Sequence, residues 1–155
     1  MKIDKTDANI LRILQADSST PLEQVALQVN LTPTPTWRRI QRLEQAGVIE
    51  RRVALCNADM LGVGTTVFVA LKTSQHNVQW LENFARAVQD IPEILEIYRM
   101  SGDIDYLLKI VIPDIRGYDA VYKKLIKTAA FSDVSSSFSM ERIKYTTALP
   151  VHYLG

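Results

Sequence analysis

The chain has 155 residues, 47% of them hydrophobic and 23% charged, with 18 Lys and Arg against 17 Asp and Glu for a net charge of +1. That is enough apolar material for one ordinary domain or two small ones with real cores, and a balance so near neutral excludes polyelectrolyte binding by the molecule as a whole. The single cysteine, Cys56, excludes an intramolecular disulfide framework and fits a reducing compartment.

No apolar run is long enough to span a bilayer, and the first residues, MKIDKTDANIL, hold no signal-peptide core. The expectation is a soluble, cytoplasmic protein with no membrane partner.

Residues 4–15 read as a first helix, with Asp4 as its cap and Asp7 placing negative charge in the first turn. Ile10, Leu11 and Leu14 form its apolar stripe. After a polar loop, Thr20-Pro21-Leu22-Glu23 combines a Thr cap, Pro at the first helical position and Glu at the third, a capping-box pattern. Leu22, Val25, Ala26 and Val29 follow at helical spacing. This short helix ends near Asn30, a residue that tolerates the left-handed conformation of a tight turn.

A third helix starts at Thr32-Pro33, or at Thr34-Pro35, and stops at Gly47. Trp37, Ile40 and Leu43 recur every third residue and are expected to face inward. Arg38, Gln41, Arg42 and Gln45 lie opposite, with Arg39 on the flank. Arginines on a helix are usually a solvated face. Here two helices and a tight turn precede them, which is the helix-turn-helix layout, with the last helix entering the major groove of double-stranded DNA. Arg38 and Arg42 are the candidates for base edges, helped by Thr34 and Gln41. Thr34 and Thr36 also lie near the helix N-terminus, a phosphate site. Arg39, Arg51 and Arg52 suit phosphates.

Residues 48–55 read as a strand, either a wing beside the groove or an edge blunted by charge, with Cys56 a small buried hydrophobe at its end. Residues 57–64 are polar and glycine-bearing, hence a linker. The domains are therefore residues 1–56 for DNA binding and 65–155 for a second unit.

In that unit TVFVALK at residues 66–72 is a strand. Leu81, Phe84, Ala85 and Val88 mark a helix ending before Ile91-Pro92. Residues 94–100 and 106–112 are strands joined by the hairpin-like turn Ser101-Gly102-Asp103-Ile104-Asp105. Tyr118, Val121, Tyr122, Leu125 and Ile126 mark a second helix, and residues 134–144 a last strand with Val134, Ser136, Phe138 and Met140 on one face. The order βαββαβ is the ferredoxin-like unit, so the fold class is α+β. Leu107, Leu108, Ile110 and Val111 make both faces of their strand look buried, and a second copy packed sheet against sheet would cover the open face.

Three stretches carry a resemblance over essentially the whole chain: IDKTDANILRILQADS, LTPTPTWRRIQRLEQAGVI and MSGDIDYLL. The chain resembles the Lrp/AsnC family, the leucine-responsive and asparagine-responsive type of transcription regulators. Its tail, SSSFSMERIKYTTALP, is similar to a subgroup that includes a cysteine-responsive regulator. The resemblance implies dimers that assemble into octamers, and an amino-acid effector bound by the ferredoxin-like domain between dimers. It places that effector at Met100, Ser101, Gly102, Asp103, Asp105 and Tyr106, with Ser135, Ser136 and Ser137 as further candidates. Asp103 or Asp105 can accept from an ammonium group and N–H groups near Gly102 can donate to a carboxylate, although Gly-Asp in a hairpin is first of all turn chemistry.

Catalysis is not expected: there is no HExxH, CxxC, GxSxG or phosphate-cradling glycine loop, and His76 and His152 stand alone. No metal ligand set and no cofactor is expected either. An enzyme or its regulatory subunit is the second reading, and an architectural DNA-compacting protein without an effector the third.

Overall fold

The computed structural model describes residues 2–154. The chain forms two compact units, one running up to Ala54 and resumed from Lys144 onward, the other Leu55–Ile143. The C-terminal segment, expected with the second unit, thus belongs to the first. Its apolar residues explain this: Val151, in the 3-10 turn Val151–Tyr153, and Leu154 pack on the helical core. Gln15 also clasps the tail in both directions, donating to the Leu149 carbonyl at 3.1 Å and accepting from the Leu149 N–H at 2.7 Å.

The first unit holds α1 (Lys5–Ala16), α2 (Leu22–Gln28) and α3 (Pro33–Gln45). Its core is Ile10, Leu11, Val25, Ile40 and Leu43. Asp4 and Asp7 cap α1 reciprocally, each side chain accepting from the other's backbone N–H, at 2.8 and 3.1 Å. The box expected at Thr20 does not form. Pro21 takes the cap position, and the Thr20 hydroxyl donates to the Asp17 carbonyl instead.

The ends of α2 and α3 share one device. Asn30 (φ 56°) and Gly47 (φ 72°) are left-handed. After α2, Leu31 N–H reaches the Ala26 carbonyl at 2.9 Å; after α3, Val48 N–H reaches the Leu43 carbonyl at 2.9 Å. Each also has the shorter inner bond, Asn30 to Leu27 and Gly47 to Glu44. These are Schellman closures, and they satisfy carbonyls the helix leaves unpaired.

Residues 48–55, expected as a strand, form none. Extended backbone becomes a strand only beside a partner, and among the described residues none lies alongside. Cys56 is exposed rather than buried.

The second unit orders β1 (Thr65–Lys72), α4 (Val78–Val88), β2 (Ile94–Arg99), β3 (Tyr106–Ile112), α5 (Ile115–Thr128) and β4 (Asp133–Phe138). All pairs are antiparallel in the order β2-β3-β1-β4, the ferredoxin-like arrangement. Asn77 and Asp114 cap the helices through the Trp80 and Gly117 N–H groups. One face of the sheet, with Val67, Val69, Leu71, Leu108, Ile110 and Ile112, is buried in the same core as Phe84, Val121 and Leu125.

β4 is shorter than the expected strand to residue 144. Val67 pairs with Phe138 and β1 begins two residues further on, at Thr65, so it offers nothing for residues after Met140. On β3 only alternate residues are buried: Leu107, Lys109 and Val111 are intermediate and lie on the open face.

Candidate nucleic-acid interface and effector site

The face α3 buries is Thr36, Ile40 and Leu43. Trp37, expected inward, is 52% exposed. Thr36, expected near phosphate, is fully buried and donates its hydroxyl to the Thr32 carbonyl at 3.0 Å. At about 100° per residue, Thr36, Ile40 and Leu43 span an arc of only about 60°, narrower than the arc through Trp37.

Two of the predicted arginines are committed within the fold. Asp7 is fully buried, and its carboxylate accepts from Arg39 at 2.8 Å and from Arg42 at 2.6 Å. Arg39 also bridges to Asp4 at 2.7 Å. The backbone N–H of Asp7 and then the Arg39 guanidinium hold the Asp4 carboxyl down to about 2. Arg39, in turn, is raised above its ordinary value by hydrogen bonds to Asp4 and Asp7. This cluster ties α3 to α1. The sequence carried a signal for it: Asp7 stands in the same i, i+3, i+4, i+7 row as Ile10, Leu11 and Leu14, so an acid occupies the buried stripe.

Other expected DNA residues are partly engaged. Arg52 bridges to Glu44 at 3.1 Å, and Gln41 donates to the same carboxylate group at 2.9 Å. Arg38, Arg51 and Thr34 are exposed. Neither Arg38 nor Arg51 has a side-chain hydrogen bond or ion pair among the described residues. The outward face of α3 is therefore Thr34, Trp37, Arg38, Gln41 and Gln45, with half of Arg42 accessible.

In the second unit the expected effector residues separate. Tyr106 is 7% exposed and packs its ring between Trp80 and Phe84, with centroids 5.5 and 5.4 Å away. Asp105 holds the turn: its carboxylate accepts from the Thr73 N–H at 2.8 Å, and its carbonyl accepts from Met100 at 2.8 Å. His76 Nδ1 lies 3.8 Å from the same carboxylate. Asp105 and Tyr106 thus have structural duties, one in the turn and one in the aromatic core. Met100, Ser101, Gly102 and Asp103 are exposed, with Gly102 at φ 129°. Ser136 faces the helices and shares a hydrogen bond with Tyr118, whereas Ser135 and Ser137 are exposed on the other face.

A groove of about 390 Å³ runs between α4 and β2, lined by Leu81, Phe84, Val88, Ile94, Ile97 and Arg99 among others. No sequence motif marks it. Arg99 at its side has no side-chain partner among the described residues. On the open sheet face Glu96 accepts from Lys109 at 2.7 Å and from Tyr98, and these two bonds, the lysine's first, lower its carboxyl.

Comparison with known proteins places both units. The winged helix-turn-helix DNA-binding model matches residues 3–50, and the Lrp/AsnC ligand binding domain model matches residues 66–149. The chain belongs to the Lrp/AsnC family. It is 43% identical over 150 residues to the DNA-binding transcriptional activator DecR of Escherichia coli (strain K12), covering 96% of this chain and 99% of that one. A crystal structure of an AsnC family transcriptional regulator from Agrobacterium tumefaciens is 51% identical, with a TM-score of 0.94, covering 97% of this chain and 98% of that one. A transcriptional regulator of Neisseria meningitidis, solved as a complex with L-Met, is 31% identical with a TM-score of 0.93, each chain covered to 99%. As an Lrp/AsnC protein this chain is a DNA-binding transcription regulator with a ligand-binding domain. Among the described residues no helix is long and apolar enough to cross a membrane.

Proposed function

We propose that this regulator reads double-stranded DNA with the outer face of α3 and changes its DNA binding or its assembly when an amino acid occupies the second unit. The observation that carries the DNA half is the division among the arginines. Arg39 and Arg42 are tied to Asp7, which leaves Arg38, on one helix face with Thr34 and Gln41, and Arg51 beyond the helix as guanidinium groups without a partner among the described residues. Guanidinium groups suit guanine edges and phosphates.

For the effector, the free carboxylate of the turn is Asp103, since Asp105 is engaged. Asp103 is therefore the acceptor for the ammonium group. Arg99, one residue before Met100, is the available cation for the carboxylate, and the neighbouring groove offers space for an apolar side chain. The relative solved with L-Met supports this class of ligand. The active form is a homodimer through the open sheet face, and dimers assemble further, as a tetramer of dimers. It works in the cytoplasm and performs no catalysis.

The test is a melting scan of the full-length protein against the common amino acids, with particle size and DNA affinity followed together. A ligand at about a hundred times its Kd adds roughly 2.7 kcal/mol to the folded state. A hit that is abolished by Asp103→Asn supports the site. A flat scan, with DNA affinity indifferent to every amino acid, overturns the effector half and favours an architectural protein.

A further inference from the structure

The buried face of α3 is complete without Trp37: Thr36, Ile40 and Leu43 meet the helical core, and Trp37 is absent from it. Its indole is 52% exposed, and it makes no ring contact among the described residues. A large apolar side chain held in water on the face that also shows Thr34, Arg38 and Gln41 is an exception to where tryptophans sit. The other tryptophan of the chain, Trp80, is 8% exposed in an aromatic cluster. Trp37 lies three residues after Thr34 and four before Gln41, so it shares one stripe with both.

We infer that Trp37 is a specificity-determining residue that reads the C5-methyl group of a thymine in the major groove. The chemistry follows from what each side chain on that face can do. Arg38 and Gln41 donate to base acceptors, whereas an indole offers a flat apolar surface and one N–H. The one apolar feature displayed by the bases in the major groove is the thymine methyl. Burying both against each other removes apolar area from water and discriminates thymine from every base that lacks the methyl. The inference rests on α3 entering the groove, as proposed above.

The test begins with the full-length protein selecting its preferred duplex from a random-sequence library. That duplex is then synthesised with deoxyuridine replacing each thymidine in turn, which deletes a methyl and nothing else. The parent protein is expected to lose about fourfold in affinity at one thymine of each half-site. Trp37→Ala is expected to bind the thymidine and deoxyuridine duplexes equally at that position, to melt like the parent and to keep its particle size. Trp37→Phe, which retains an apolar ring, is expected to restore part of the discrimination. Acrylamide quenching supplies an independent reading: the selected duplex should shield Trp37 in the parent and change nothing in Trp37→Phe.

Equal methyl sensitivity in the parent and Trp37→Ala overturns the inference, as does a fall in melting temperature or particle size for Trp37→Ala, which would place the indole against a second copy. Arg38→Ala separates the two levels. If it weakens binding while Trp37→Ala does not alter methyl reading, only the role of Trp37 fails. If neither variant affects binding, α3 is not in the groove and the underlying reading fails with it.

Discussion

Asp7 shows how much one side chain can organise. It caps α1, lies fully buried and takes guanidinium groups from two positions of α3. Removing it leaves two guanidinium groups that reach water, so the loss is that of the charged hydrogen bonds and not of a stranded buried charge. Asp7→Ala should therefore cost about 1.5–3 kcal/mol in a denaturant titration. A loss under about 1 kcal/mol would mean that water screens the cluster as it does surface pairs. The neighbouring Asp4 supplies a pH signature. Its carboxyl is lowered from 3.8 to about 2, first by the Asp7 N–H and then by Arg39, so the fold favours its charged form. The stability it contributes is complete above the unfolded value and drains away as pH falls from about 4 towards 2. Unfolding midpoints measured across that window should fall less steeply for Asp4→Asn than for the parent. Identical slopes would remove Asp4 from the acid response.

At the scale of elements, the turns around α3 are set by backbone geometry more than by packing. A Cβ on Gly47 would meet nothing within 4 Å, so its φ of 72° alone decides what a substitution costs. Gly47→Ala should lose about 1–2 kcal/mol by thermal melting. Gly47→Asn should lose less, because Asn30 already closes α2 in the same left-handed conformation. If both variants cost the same, side-chain packing and not φ governs the closure. The strands follow a different logic. β4 stops at Phe138, within two residues of the start of β1, and residues 48–55 have no strand beside them among the described residues. Neither length could be read from residue type, because a strand exists only by virtue of the strand beside it.

For the whole molecule, the open sheet face is the surface on which the proposed dimer rests. Phe68 is 39% exposed there, paired in register with Lys109 and Ser137, and Leu107 and Val111 are half-buried on the same side. A second copy covering this face would bury that apolar surface. Phe68→Glu should convert the assembly to smaller particles in sedimentation while each unit keeps its melting behaviour. Unchanged particle size would place the interface elsewhere.

What the sequence determined by itself is whatever depends on neighbours in the chain: the α1 cap, the Asn30 and Gly47 closures, and the order of the helices and of the βαββαβ unit; the alternation on β3, whose apolar run looked buried on both faces, came only with the sheet. The cap and the closures are local because helix and turn hydrogen bonds join residues a few positions apart. Which residues face DNA was only partly legible. A three-residue spacing at Trp37, Ile40 and Leu43 and a wider one at Thr36, Ile40 and Leu43 both fit a helix, and only packing against α1 and α2 chose the second. The same holds for Arg39 and Arg42, which look free in a sequence and are bound once Asp7 is brought beside them. It holds for Tyr106 and Asp105, drawn into the aromatic core and the turn, and for the tail that returns to α1. Contacts between residues distant in the chain decided each of these, and the one local hint was the acid at Asp7 in the apolar stripe of α1.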